Sequence, residues 1–371
     1  MASGAAVTIG LVGCGGISHY HMAGIQAANA AAKSRAAAGG ARAASDSSAS
    51  ASDPELRVVA CADIVEATAR GWAEKYGVER WFTDWRAMVE AARPDIVLFA
   101  TWPSQHREQV AAAAEMGVPA ILCEKSLALT AADGHAMADA CRRSGTLLME
   151  AFMYRHAPRT RDFVRRIREG EIGEPRWARA AFGGWFYDPK GTGWRSRKDT
   201  GGGIVFDFTC YCVNILRAVM GRSPKRVAAA VEVCPVQDVI ITLHGLLDYG
   251  EGVTAVVESS QKEYFRMEAE VVGAQGSLLL PAFLMNVNPQ PAPPMRLTTG
   301  LLWAGNWKET PIPTTFENPY ALQIRNLARA LRHGEPLGMP QDETLENLAT
   351  LDALVESSKA GNWSQLGTAL P

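Results

Sequence analysis

Short, continuous apolar runs alternate with longer stretches of helical periodicity over the first 150 residues. Runs at 7–12, 56–63, 94–101, 120–123 and 146–150 read as buried strands. Stretches at 67–76, 85–92, 105–116 and 131–144 read as helices, two of them closed by Gly77 and Gly117. A further helical pattern follows Ser18. Strands separated by helices in this rhythm predict a doubly wound parallel sheet. After about residue 151 the rhythm changes. A helix at 159–169 and a strand at 176–182 lead into a polar, Gly-rich loop at 183–203. Another helix is expected at about 207–220. Strand-like runs at 226–234, 239–247, 253–260, 267–272 and 277–280, joined by short connections, predict a large, mostly antiparallel open sheet. Helices at 320–332 and 343–359 close the chain. The expected organisation is α/β throughout: a nucleotide-binding domain over 1–150 and a second domain over 151–371.

One segment breaks the pattern. Residues 27–53 are nearly all Ala, Ser and Gly, with no large apolar side chain. Such a stretch buries too little surface to offset its ordering entropy, which predicts a mobile surface insertion. A poly-Ala helix over 27–38 is the rival reading. Residues 289–294 read as a Pro-rich loop.

Composition narrows the class. The 371 residues suit two domains, and 47% hydrophobic with 20% charged is ordinary for a globular chain. With 37 basic and 39 acidic residues the formal net charge is −2. That argues against nucleic acid or an anionic membrane as partner, since both require a basic footprint. No apolar run reaches the roughly 18 residues of a membrane span. Met1-Ala2-Ser3-Gly4 shows no secretory signal, and Ala2 stands where myristoylation requires a glycine. Seven scattered cysteines are an odd count and predict reduced thiols in the cytoplasm. Cys210 and Cys212 have no second Cys/His pair at ligand spacing, so no metal is expected.

The first strand runs into Gly13-Cys14-Gly15-Gly16-Ile17-Ser18, a dinucleotide fingerprint with Ser at its third small position. Gly13 permits the tight turn, Gly15 lets a pyrophosphate approach the backbone, and the helix N-terminus aims free N–H groups at it. The next strand should end in an acid that binds the ribose about 20 residues on. Asp63 ends it. The extra spacing matches the Ala/Ser/Gly segment. A carboxylate repels a 2′-phosphate and Ile64 offers no cation to hold one, so NAD is favoured over NADP. The alternative is that Asp63 only caps the following helix.

These residues resemble the glucose–fructose oxidoreductase / inositol dehydrogenase / MocA family. The landmarks are the Gly-rich turn, Ala60-Cys61-Ala62-Asp63, Ala100-Thr101-Trp102-Pro103-Ser104-Gln105-His106, Glu124-Lys125, Gly201-Gly202-Gly203 leading to Asp207, and Gly273-Ala274-Gln275-Gly276-Ser277. Glu150-Ala151-Phe152-Met153-Tyr154-Arg155, Trp194-Arg195 and Tyr211 are similar to a subgroup with dihydrodiol and D-xylose dehydrogenases. Two departures stand out. The family's Glu-Lys-Pro is here Glu124-Lys125-Ser126, and the subgroup's Ser-Arg, suited to NADP, is here Asp63-Ile64.

The resemblance implies a Rossmann domain, a second domain whose sheet makes a homo-oligomer interface, and a sugar or cyclic polyol as substrate. Oxidising a carbinol requires an acceptor for the hydroxyl proton. A tyrosine beside an ammonium serves at neutral pH, because cations favour the phenolate. Tyr211 is expected to transfer the proton and Lys125 to hold the substrate oxygen; Lys125 as direct base is the alternative. With Gly13, Cys14, Gly15, Gly16, Ile17 and Asp63, the residues Thr101, Trp102, His106, Glu124 and Lys125 are candidate cofactor contacts, although His106 and Glu124 also suit structural and loop-positioning roles. Arg155, Trp194, Arg195, Asp207 and Asn214 are candidates for the substrate pocket, with Asp207 more suited to a structural hydrogen bond. Trp102 and Trp185 can stack on a sugar. His19 and His21 read as surface or packing residues. An enzyme that keeps NAD bound and uses it twice in one cycle, and a sensor without activity, are the competing functions. The presence of both Lys125 and Tyr211 favours an enzyme.

Overall fold

The computed structural model describes residues 6–39, 53–188, 190–284 and 293–366. Residues 40–52 of the Ala/Ser/Gly segment and 289–292 of the Pro-rich loop lie outside this range. The chain divides into two compact units. The first comprises 1–124, 136–156 and 317–341; the second comprises 125–135, 157–316 and 342–371.

In the first unit six strands pair in parallel: β1 (Val7–Val12), β2 (Leu56–Ala62), β3 (Trp81–Phe82), β4 (Ile96–Phe99), β5 (Ala120–Cys123) and β6 (Leu147–Glu150). Their order, β3-β2-β1-β4-β5-β6, is that of a dinucleotide-binding sheet, whose ligand site falls where the order reverses. Every residue of β4 and β5 is buried, as a parallel sheet covered on both faces requires. The connecting helices start and stop on local signals. Asp84 accepts from the Arg86 N–H to cap α3 (Trp85–Ala92), Pro103 opens α4 (Pro103–Glu115), and α2 (Glu66–Tyr76) ends at Gly77 in the left-handed region.

One expectation needs correction here. The segment expected to be a mobile insertion is helical over its first part: α1 runs Gly16–Gly39. Alanine has the highest helix propensity, and Asn29 pins the helix to β2 by donating to the Leu56 carbonyl (2.8 Å) and accepting its N–H (2.9 Å). Asp53, at the far end of the segment, pairs with Arg35 and Arg329. The compact units are also discontinuous in sequence. Helix α8 (Pro319–His333) belongs to the first unit, where it packs on α1. Gly24 makes the close approach possible, since a Cβ there would lie 2.5 Å from Tyr320 Cβ.

The second unit is built on a nine-stranded sheet, β14-β13-β12-β11-β7-β10-β9-β8-β15. Its main strands are β7 (Pro175–Trp185), β8 (Arg226–Val233), β9 (Ile240–Gly250), β10 (Val253–Ser260), β11 (Lys262–Gly273) and β12 (Gly276–Pro281), followed by β13 (Met295–Thr299), β14 (Lys308–Ile312) and β15 (Ser364–Gln365). Within it, β7 and β10 pair in parallel and the other pairs are antiparallel. Burial alternates along β9 and β10, so one face packs on helix α7 (Cys210–Met220) while the other carries residues such as His244, Leu246 and Glu258. The stretch 198–220 does pass as a membrane span by length and hydropathy, against the sequence expectation, but 83% of its apolar window is buried in the unit. All seven cysteines are buried and none forms a disulfide.

Candidate active site

In the first unit the Gly-rich turn closes over the carboxyl ends of β1, β2 and β4. Gly13 has φ 89°, and a Cβ on it would meet the Ala100 carbonyl oxygen at 2.7 Å, so only glycine fits. At Gly15 and Gly16 an added Cβ would meet nothing within 4 Å, which leaves open space at the start of α1. Ser18, in the third small position, is fully buried and donates its hydroxyl back to the Gly15 carbonyl (2.5 Å). Asp63 Oδ2 accepts the Cys14 N–H and Oδ1 the Val65 N–H, each at 2.9 Å. The carboxylate therefore orders both the Gly-rich turn and the loop that leads into α2, and its remaining lone pairs can accept ribose hydroxyls. Cys14 turns its side chain inward, towards the Ala62 carbonyl. A cavity of about 270 Å³ is lined by Gly13, Gly15, Asp63, Ile64, Thr101 and Trp102 among others. Free helix N–H groups, an acid at the end of β2 and an exposed Ile64 with no charge fit a pyridine dinucleotide lacking a 2′-phosphate.

His106 is not among those lining residues. It is fully buried and its Nε2 donates to the Thr101 carbonyl (3.2 Å), so it shapes the Thr101 loop and presents no ring to a ligand. Glu124 is likewise buried, with Oε1 2.7 Å from His21 Nε2. The pairing of His21 was missed in the sequence. Its spacing from Ser18 and Ile25 places it on the inner stripe of α1, which was the available signal.

Lys125, next in the chain, belongs to the second unit. Its ammonium donates to Asp207 Oδ1 (2.9 Å) and to the Asp207 carbonyl (3.0 Å), and lies 5.0 Å from the centre of the Tyr211 ring. Asp207 sits in a wide π-helical turn, Val205–Thr209, that runs directly into α7. Tyr211 follows it at i+4, so the two share a face. Arg195 Nε donates to the second carboxylate oxygen, Oδ2, at 2.5 Å. The loop that delivers Arg195 folds around Gly202, where a Cβ would collide with the carbonyls of Trp194, Arg195 and Arg197 at 2.5–2.7 Å. Ser126, in place of the family's proline, is buried and donates to the Phe206 carbonyl (3.4 Å), tying the lysine loop to the turn that holds Asp207.

Burial alone would push the Asp207 carboxyl up. The charges of Lys125 and Arg195 outweigh it and hold the group below the usual carboxylate range. Asp207 is thus an ionised bridge between two cations. Asn214, expected in the substrate pocket, is fully buried; helical spacing from Tyr211 gave its face but not its depth. Tyr211 is 9% exposed, edge-on to Phe182. Trp194 stacks on the Arg195 guanidinium (4.8 Å). Arg155 belongs to the first unit, where it donates to Met339 Sδ (3.6 Å).

The cradle in the first unit has the features of a dinucleotide-binding site. Comparison with known proteins gives the family. Residues 7–152 match the oxidoreductase family with an NAD-binding Rossmann fold, and residues 160–279 match the GFO/IDH/MocA C-terminal domain. The chain belongs to the GFO/IDH/MocA family. It is 33% identical over 311 residues to a D-apiose dehydrogenase of Paraburkholderia graminis, covering 81% of this chain and 80% of that protein. It is 31% identical over 316 residues to an NADP-dependent D-xylose 1-dehydrogenase of Haloferax volcanii, covering 84% of this chain and 92% of that one. Among solved structures, a levoglucosan dehydrogenase in complex with NADH and levoglucosan shares the fold: TM-score 0.83, 20% identity, 98% of this chain and 100% of that chain covered.

Proposed function

We propose that the protein oxidises or reduces a CH–OH group of a sugar or cyclic polyol, with Tyr211 and Lys125 handling the proton. The observation that carries this is the Lys125 ammonium, anchored on Asp207 and lying over the Tyr211 ring. A cation in that position favours the phenolate, which accepts the carbinol proton, while the ammonium holds the substrate oxygen. Bound nicotinamide supplies the two-electron step. Gly13, Gly15 and Asp63 would hold the dinucleotide, and Asp63 favours NAD over NADP. The aldose named in each of the two relatives supports a sugar as substrate.

Changing Tyr211 to Phe keeps the ring's packing and removes the hydroxyl. It should lower the rate by roughly 10²–10⁴ with NAD affinity little changed. Lys125→Met should be at least as damaging, and the double variant no worse than the poorer single one, because members of one unit are not additive. The assay is reduction of NAD by a panel of sugars and polyols, read at the absorbance of the reduced cofactor. A Tyr211→Phe enzyme within a factor of about three of the wild type across the pH range would leave Lys125 as the sole base.

A further inference from the structure

Arg195 was expected to touch substrate, yet its best-defined contact is the buried carboxylate that also holds Lys125. The two cations lie 2.5 and 2.9 Å from the two oxygens of Asp207. The Arg195 guanidinium is steadied by the rings of Trp194 and Phe186, at 4.8 and 5.9 Å, and its backbone by the Gly203 N–H on the Arg195 carbonyl (2.8 Å). We propose that Arg195 is a positioning residue for proton transfer: by sharing the charge of Asp207, it keeps the Lys125 ammonium electrostatically available to Tyr211. This rests on the proton-transfer reading above.

Two cations and one carboxylate leave a net +1 beside the phenol. Without Arg195 the whole carboxylate charge faces Lys125, the pair becomes neutral, and the field that favours the phenolate collapses. Among the described groups of this unit, those packed around α7 carry their charge to other partners. On α7 itself, Cys210 and Cys212 are fully buried, and burial pushes the Cys212 thiol well up, so it stays neutral. On the neighbouring elements, described charged groups pair as follows. Glu258 of β10 lies between Arg179 and Arg266, Arg168 of the preceding helix donates to the Ala218 carbonyl, and Glu346 pairs with Arg217 at the far end of α7. β7 presents the uncharged ring of Phe182.

The test is the pH profile of kcat/KM for substrate oxidation with NAD, for wild type, Arg195→Leu, Arg195→Lys and Tyr211→Phe. Below the plateau the rate follows the ionised fraction of the base. Arg195→Leu should move that rising limb to higher pH by about one unit, a loss of about tenfold at neutral pH that is recovered at alkaline pH. Arg195→Lys keeps the charge and should return most of the shift. An equal loss at every pH would make Arg195 merely structural, and a raised KM with an unmoved limb would make it a substrate contact; either overturns the proposal. Should Arg195→Leu fail to fold, Arg195→Lys still decides, since a loss at all pH values in that variant is incompatible with a charge effect. If Tyr211→Phe retains wild-type rates, the proton-transfer reading fails first; if Tyr211→Phe is inactive and the Arg195→Leu limb is unmoved, only the role of Arg195 fails.

Discussion

Asp207 carries more of the second unit's polar core than its single charge suggests. Replacing it with Asn leaves Lys125 without its counter-charge, while Arg195, 39% exposed, is compensated by water, a loss of about 1–3 kcal/mol in denaturant unfolding. Because its folded-state carboxyl is held below the usual range, the stability it contributes is complete above an ordinary carboxyl value of about 4 and is lost as pH falls through the depressed value. The gap between wild type and Asp207→Asn should therefore be full at neutral pH and narrow only in acid below that point. Asp63 sets a different choice. Asp63→Ser with Ile64→Arg should shift preference towards NADP, and a wild type that already binds NADP about tenfold or more tightly than NAD would refute that role. These residues were legible because their chemistry sits at strand ends or next to glycines. His106 and Asn214 proved to be fully buried, because residue type and spacing give a direction but not a depth.

Helices and strands were recovered wherever apolar periodicity was strong, and missed where it was not. A run of alanines has no apolar face to read, so the continuation of α1 to Gly39 is settled by propensity and by the Asn29–Leu56 pair. Asn29→Ala should cost about 1 kcal/mol, and excising residues 27–53 should lower the melting temperature by several degrees. Unchanged melting would show that this helix end and the Asp53 ion pairs contribute nothing. Strand β14 escaped for another reason. It contains Pro311, which argues against a strand, yet β14 is the edge of the nine-stranded sheet, where a missing N–H costs no ladder bond.

Across the whole molecule, the alternation of elements gave both sheets, but not which late helix completes which unit. Sequence order assigned α8 to the second domain; contacts with α1 assign it to the first. That interleaving has a consequence for biosynthesis. When the ribosome has released the last strand of the parallel sheet, the face of α1 that receives Tyr320 is still bare. The helix that covers it emerges roughly 180 residues later, a wait of roughly 10–35 s at about 5–20 residues per second. The nucleotide-binding unit therefore cannot mature while only its own contiguous sequence has been made. It must hold an uncovered flank through synthesis of most of the other unit, and a gene fragment ending near residue 156 would encode it permanently unfinished.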